Sequence, residues 1–267
     1  MAEFSSRSDW RGERERPMVR FMSLRTAFAS LALVALELAF LAPAQAGGAK
    51  RPVVVELYTS QGCSSCLPAD ALLAQLATTR HDVLAISLPI TYWDMLGWKD
   101  TLASEANTRR QKAYAQALNL GGVYTPQMIV DGVDDLVGSH ETAIETAIAA
   151  READMDYVPV ALSATPTEIR IAVGAGRGNQ DATIWLFHIL AKSTVSIGAG
   201  ENVGQKVTYR NVVRDVRAVG LWKGQPVTLE LPRGEMASPP HDAIAVVVQQ
   251  GGYGRIVGAA MIGHPEY

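Results

Sequence analysis

Cysteine is nearly missing from this chain, with 2 in 267 residues. A disulfide framework standing in for a hydrophobic core is excluded by that count. So is a zinc site built from two C-x-x-C pairs. The 5 histidines, His81, His140, His188, His241 and His264, do not supply the missing ligands, because no two stand at ligand spacing. A strong charge of either sign is lacking too. The 24 basic residues are set against 27 acidic ones, a formal net charge of −3, with no basic stripe beyond the N-terminus. That excludes a nucleic-acid footprint. No G-x-G-x-x-G follows a strand, and neither a P-loop nor a G-x-S-x-G elbow occurs. Nucleotide binding and serine-hydrolase chemistry therefore have no support, and no cofactor is expected. Internal repeats and low-complexity tracts are absent.

Long apolar runs are also scarce, with one exception. Ala27 to Ala42 is an apolar stretch interrupted by Glu37, follows Arg20 and Arg25, and precedes Ala44-Gln45-Ala46. This pattern predicts a signal peptide over residues 1–46, cleaved before Gly47, with translation beginning at Met18 or Met22. The rival reading is a retained membrane anchor, which the shortness of the run and Glu37 disfavour. No cysteine follows the run, which argues against a lipoprotein. The expected location is periplasmic or secreted, with no stable membrane insertion after cleavage. Export places both cysteines in an oxidising compartment.

What is present is a cysteine pair in a telling place. Cys63-Ser64-Ser65-Cys66 follows the apolar run Val53 to Tyr58. A strand leading into C-x-x-C at a helix start suits thiol–disulfide exchange, because the free N–H groups and positive dipole end of the helix favour a thiolate. A purely structural staple closing so small a loop would add little stability. Cys63, nearest the helix mouth, is expected to be the exposed attacking thiolate, and Cys66 to resolve the mixed disulfide. Ser64 and Ser65 are expected to donate hydrogen bonds to the thiolate and tune the potential. Glu56, inside the apolar strand, is a candidate acceptor for the proton of Cys66, with burial raising its pKa. The bland alternative is a solvent-facing or lysine-paired carboxylate.

Residues 47–153 alternate strand and helix signals. Strands are expected at Val53–Tyr58, Val83–Leu88, Gln127–Val130 and Asp135–Val137, with an Asp131-Gly132 hairpin turn between the last two. Helices are expected at Ser64–Thr78, at Ser104–Leu118 with Arg109, Arg110 and Lys112 solvated, and after Gly138 with Ser139 as N-cap. This α/β order, βαβ-α-ββα, resembles a thioredoxin-like fold. Such domains place a cis-proline opposite the cysteines, and Thr125-Pro126 stands at that position. Thr125, Pro126 and Tyr124 then become candidate substrate-binding residues, pairing with an extended chain. The Tyr92–Asp100 segment, rich in aromatics, reads as packing rather than as a groove wall. Residues 154–267 form a β-rich half in which seven short strand candidates, from Val158–Ala164 to Arg255–Ile262, suggest an antiparallel β-sandwich-like domain. Arg214–Gly220 reads as a turn or a short helix, and Ser238 to Pro240 as a turn.

Four stretches together resemble a family. They are Val54 to Asp70 around the cysteines, Tyr92-Trp93-Asp94 with Gly97-Trp98-Lys99-Asp100, Val123-Tyr124-Thr125-Pro126-Gln127 with Asp131-Gly132, and Arg210 to Arg214 with Trp222-Lys223-Gly224. The chain is similar through them to the secreted thioredoxin-like proteins of domain-of-unknown-function family 1223. The resemblance implies a bacterial exported protein with a β-rich tail. Leu67 stands where a proline is expected after the second cysteine, and Thr91 where an acidic residue often precedes Tyr-Trp-Asp. The expected activity is disulfide exchange with protein thiols or disulfides in the cell envelope. The alternatives are a binding module, a Cu(I) or other metal carrier using the same cysteines, and an assembly adaptor with an inert disulfide.

Overall fold

The computed structural model describes residues 51–154, 156–177, 181–233 and 241–263. The predicted signal segment, the expected turn at 238–240 and His264 lie outside them. The chain begins with β1 (Val53–Thr59), α1 (Leu67–Thr79), β2 (Val83–Pro89) and α2 (Glu105–Ala117). It continues through β3 (Gln127–Val130), β4 (Asp134–Val137) and α3 (Glu141–Glu152). Seven strands follow: β5 (Val160–Ala164), β6 (Glu168–Val173), β7 (Ala182–Ser196), β8 (Lys206–Trp222), β9 (Val227–Pro232), β10 (Ala243–Gln250) and β11 (Ile256–Ile262).

β1 and β2 pair in parallel across α1, while β3 joins β1 and β4 joins β3 antiparallel. The β3–β4 turn spans residues 131–133, with Asp131 and Gly132 both at positive φ and the Val133 N–H donating to the Val130 carbonyl at 3.1 Å. Ser139 is not the cap of α3. The helix starts one residue later behind His140, whose side chain makes no capping bond. Segment 214–220 is neither turn nor helix. It continues β8, because β7 pairs with it almost throughout from Ala182↔Trp222 to Ser196↔Lys206.

Eight strands form one mixed sheet in the order β11-β10-β7-β8-β2-β1-β3-β4, and β5-β6-β9 form a second. Four strands of the expected β-rich half thus extend the sheet begun by β1–β4. The remaining three pack on it as a sandwich layer would. Lys50–Tyr267 make up a single compact unit. Side-chain alternation divides the core. Val54, Tyr58, Ile86, Phe187 and Val247 cluster with Tyr114 of α2. On the other face of β1 and β2, Val55, Leu57 and Ala85 meet Leu72, Leu73 and Leu76 of α1 and Ile144 and Ile148 of α3. Ile184, Leu186, Val246 and Val248 meet Ile169, Ile171 and Val173 of β6. Helices therefore cover both faces of the β1–β2 region.

One side chain departs sharply from its expected surroundings. Arg110 is 2% exposed, not solvated. The inward face of α2 is polar, carrying Asn107, Arg110, Gln111 and Tyr114. An apolar periodicity search passes over such a face.

Candidate functional site: a disulfide at the mouth of α1

β1 ends at Thr59, and the chain turns through Ser60, Gln61 and Gly62. The Cys63 N–H donates to the Ser60 carbonyl at 3.1 Å, and the Gly62 N–H to Ser60 Oγ at 3.1 Å. A 3-10 turn over Ser64–Cys66 then feeds α1, which starts at Leu67 rather than Ser64. Pro68 lies in the first turn of α1, where its missing N–H costs nothing. Cys63 and Cys66 are joined in a disulfide with Cα atoms 5.4 Å apart.

Cys63 is not exposed: both cysteines are fully buried. Two structures cover them. The Thr125 hydroxyl donates toward Cys63 Sγ at 3.4 Å and accepts from the Trp93 indole N–H at 2.8 Å. Ser65 Oγ lies 3.2 Å from the same sulfur. From the far side comes the loop between β7 and β8, residues 197–205. Its Asn202 amide donates to the carbonyls of Gln61 at 2.9 Å and Cys63 at 3.0 Å. Its Glu201 Oε2 accepts the Ser64 backbone N–H at 2.9 Å. That N–H holds the exposed Glu201 carboxyl below its usual range. Ser64 thus serves a carboxylate and not the sulfur, and a negative group already occupies part of the helix mouth. Trp98 steadies the loop. Its indole donates to Gln61 Oε1 at 2.9 Å, and Gly198 and Gly200 pack so closely on its ring and Cβ that a Cβ at Gly198 would lie 3.0 Å from Cζ3.

The Thr125–Pro126 bond is cis. Pro126 is buried, and its carbonyl accepts from Gly138 at 2.9 Å. Gly138 is wedged so tightly that a Cβ there would meet Leu57 at 2.9 Å and Ala69 and Pro126 at 3.1 Å. Tyr124 turns elsewhere. Its hydroxyl donates to Asp135 Oδ1 at 3.0 Å, and burial, with Asp135 beside it, raises its pKa. Thr91 donates to Glu105 Oε1 at 2.6 Å, so a carboxylate from α2 stands beside it.

Glu56 is buried, but it is not placed to take a proton from Cys66. It shares a sheet face with Val54 and Tyr58, opposite the face that α1 covers. Arg110 Nε donates to its Oε1 at 2.7 Å and Arg110 Nη2 to its Oε2 at 3.2 Å, while the Tyr114 hydroxyl donates to the same Oε2. The guanidinium sits 5.1 to 5.6 Å from the rings of Tyr114, Trp185, Phe187 and Tyr253. Gln249 Oε1 accepts a further Arg110 N–H at 3.0 Å. This is a paired charge in an aromatic cage.

The buried acid on the cysteine side is Asp70, which sequence reasoning passed over as part of an apolar helix. It is 6% exposed, and neither carboxylate oxygen has a hydrogen-bond partner. Burial pushes its pKa up to about 8, and the nearby Asp100 charge adds to the rise, against the pull of the Thr59 hydroxyl. No hydrogen bond of ordinary geometry joins Asp70 to Thr59, whose own hydroxyl is unpartnered. Asp100 accepts the N–H groups of Gln61 at 2.8 Å and Leu102 at 2.8 Å, which ties the loop before α2 to the turn before Cys63.

Among the described residues no three His, Cys, Asp or Glu side chains gather as metal ligands would, and no helix is long and apolar enough to cross a membrane. His188 and His241 stack with ring centroids 4.3 Å apart.

Fold and site together define a mixed α/β protein with a C-x-x-C disulfide at the start of its first helix. The chain belongs to the family described as protein of unknown function (DUF1223), whose model matches residues 54–249. It is similar to the crystal structure of protein AGR_C_4864 from Agrobacterium tumefaciens, with 37% identity and a TM-score of 0.71, over 80% of this chain and 96% of that one. HBP35 of Porphyromonas gingivalis shares the fold at 14% identity and a TM-score of 0.58, over 82% of this chain and 77% of that one. No functionally curated protein matches the sequence.

Proposed function

We propose that this protein is an exported thiol–disulfide oxidoreductase with a thioredoxin-like core, acting on protein thiols or disulfides in the cell envelope without a cofactor. The thiolate of a substrate attacks Cys63 Sγ, a bond forms between the two, and Cys66 leaves with the electron pair of the broken disulfide. A second substrate thiolate then releases Cys63, leaving the substrate oxidised and the cysteine pair reduced. The reverse sequence reduces a substrate disulfide. Cys63 is the sulfur that exchanges, Cys66 resolves, and Thr125 beside Pro126 stands against Cys63. Ser65 and Thr125 supply hydrogen bonds to a Cys63 thiolate, worth more to the charged sulfur than to the disulfide.

One observation carries this reading: the pair sits at a helix mouth with the Thr125 hydroxyl aimed at Cys63 Sγ, and at no other sulfur. The inert-disulfide reading has its own support in the complete burial of both sulfurs. Equilibration with a glutathione redox buffer separates the two. Exchange requires the pair to shift between dithiol and disulfide as the buffer ratio changes, and Cys63→Ser to abolish turnover of a model disulfide. Cys66→Ser is expected to accumulate mixed disulfides with its substrates. A pair that stays oxidised in every buffer sinks the proposal.

A further inference from the structure

In the first turn of α1 and on the strands and loop around it, a group of buried polar side chains has no part in the sulfur exchange. Asp70 is at its centre. Thr59 stands beside it at the end of β1, Tyr209 of β8 presents a buried hydroxyl without a partner, and Asp100 faces it with a second acidic group. An enclosed carboxylate lacking a partner is costly when ionised. The rest of this helix face is Ala69, Leu72, Leu73, Leu76 and Ala77, so packing alone does not call for an acid.

Position along the helix gives the acid a use. Cys66 already has helical backbone angles, φ −79° and ψ −27°, and α1 runs directly out of it. Cys66 and Asp70 are therefore four residues apart on one helical face, with Cβ atoms about 5–6 Å apart. Helical side chains lean toward the N-terminus, so Asp70 leans toward Cys66.

We propose that Asp70 is the proton reservoir of Cys66. The inference rests on the thiol–disulfide reading and assigns its proton traffic. When a substrate thiolate displaces Cys66 from Cys63, the departing sulfur carries the electron pair, and the Asp70 carboxyl proton passes to it. The products are a mixed disulfide at Cys63, a Cys66 thiol and an Asp70 carboxylate. In the resolving direction, the carboxylate takes the proton from the Cys66 thiol. The Cys66 thiolate then attacks Cys63 Sγ, and the substrate leaves as its own thiolate. One proton moves within the protein, and charge is conserved in both directions.

The groups facing the carboxyl set its readiness. Burial, with Asp100 from the loop before α2, opposes its ionisation, and Thr59 of β1 favours it. Tyr209 of β8 stays protonated, since burial and the nearby Asp70 and Asp100 raise its pKa. Glu201 holds the Ser64 N–H at the same end of α1, and Asp94 accepts the Asp100 N–H at 3.0 Å. With its pKa near 8, Asp70 keeps its proton at neutral pH while the disulfide is intact.

The test follows resolution of a Cys63–glutathione mixed disulfide by Cys66, from about pH 5 to about pH 10, in the unmodified protein and in Asp70→Asn. Asparagine is neutral and nearly isosteric, so the fold should hold. We expect Asp70→Asn to slow resolution about 100-fold at neutral pH and to reduce its pH profile to the single ionisation of the Cys66 thiol. Asp70→Glu should recover part of the rate. A second readout is the thiolate absorbance of Cys66 in Cys63→Ser, which should titrate in two coupled steps with Asp70 present and in one with Asp70→Asn. Unchanged rate, pH profile and titration in Asp70→Asn would overturn the role of Asp70 and leave the oxidoreductase reading standing. Failure of the unmodified protein to exchange with glutathione at any pH would overturn both.

Discussion

Two buried titratable residues bend the stability of this protein in opposite directions with pH. The Asp70 carboxyl has its pKa raised to about 8 in the folded chain, so the native state still holds a proton that the unfolded state has released. Its contribution is fully present below about pH 4 and is lost as pH climbs to about 8. His188 behaves oppositely. Burial foremost, with His241 stacked on it, lowers its pKa to about 4. Its contribution is present above about pH 6.5 and is lost as pH falls through about 4. Between about pH 4 and pH 6.5 the two slopes offset one another. Above that range only Asp70 still acts, at up to about 1.4 kcal/mol per pH unit. Urea midpoints should therefore fall from about pH 6.5 to about pH 8, and Asp70→Asn should flatten that decline. An equally steep decline in the variant would remove Asp70 as its source. Sequence reasoning found one buried carboxylate, Glu56, and gave it the wrong neighbours. All 7 residues of β1 are buried, so alternation along the strand carries no sign of which face α1 covers. Asp70 lay hidden for a related reason: helical periodicity shows which side is inward, but not that an acid on that side has been left without a partner.

At the scale of elements, the β7–β8 hairpin lays its loop against the turn that carries Cys63. Its strands run 15 and 17 residues, which carries loop 197–205 across to the mouth of α1. There the loop is held by Asn202, by Glu201 and by packing on Trp98. The two Asn202 hydrogen bonds contribute about 1 kcal/mol each, so their loss should raise the open fraction by about tenfold or more. Asn202→Ala is accordingly expected to speed reduction of Cys63–Cys66 by a small thiol by that factor. The effect on a protein substrate reports whether the loop excludes it or recruits it. An unchanged rate with the small thiol would mean that loop 197–205 does not gate the site. The turn itself was legible, because Gly198 to Gly204 interrupts two β-rich stretches. Its destination was not, since it depends on strand length. Residues 214–220 read as a break when taken alone, and only the partner strand keeps them extended. α1 shows the same limit on a smaller scale. Its apolar face was plain in the sequence, whereas the 3-10 entry over Ser64–Cys66 is too short to leave a periodic mark.

For the whole molecule, the question is whether the two halves of the chain fold as one. The sequence changes character near residue 154, and each half taken separately suggests its own architecture. The observed sheet crosses that point, because β8 lies beside β2 with Ser87 paired to Val212. The ladder at this seam is short, and side-chain amides reinforce it. Asn211 donates to the Ala85 carbonyl at 2.8 Å, and Asn107 donates to both Pro89 at 3.1 Å and Val213 at 3.2 Å. The larger contribution is apolar: Val54, Ile86 and Leu88 share one cluster with Phe187, Ile189, Val213 and Val247. Separating the halves would expose that cluster, strip β2 of one of its two neighbours, and leave Arg110 without the Trp185, Phe187 and Gln249 groups that enclose it. Burial of each large apolar side chain is worth about 1.5–3 kcal/mol, so the coupling exceeds what either half can forgo while staying folded. Unfolding should therefore be a single transition. Variants that keep only Trp98 or only Trp222 place one reporter against Gln61, in the turn before Cys63, and one against the second sheet. Their urea curves should coincide with each other and with the loss of far-UV ellipticity. Asn107→Leu should lower the shared midpoint without splitting it, because the amide bonds reinforce a seam that apolar packing already closes. Two separated transitions would show that the halves are independent domains that merely share a sheet edge.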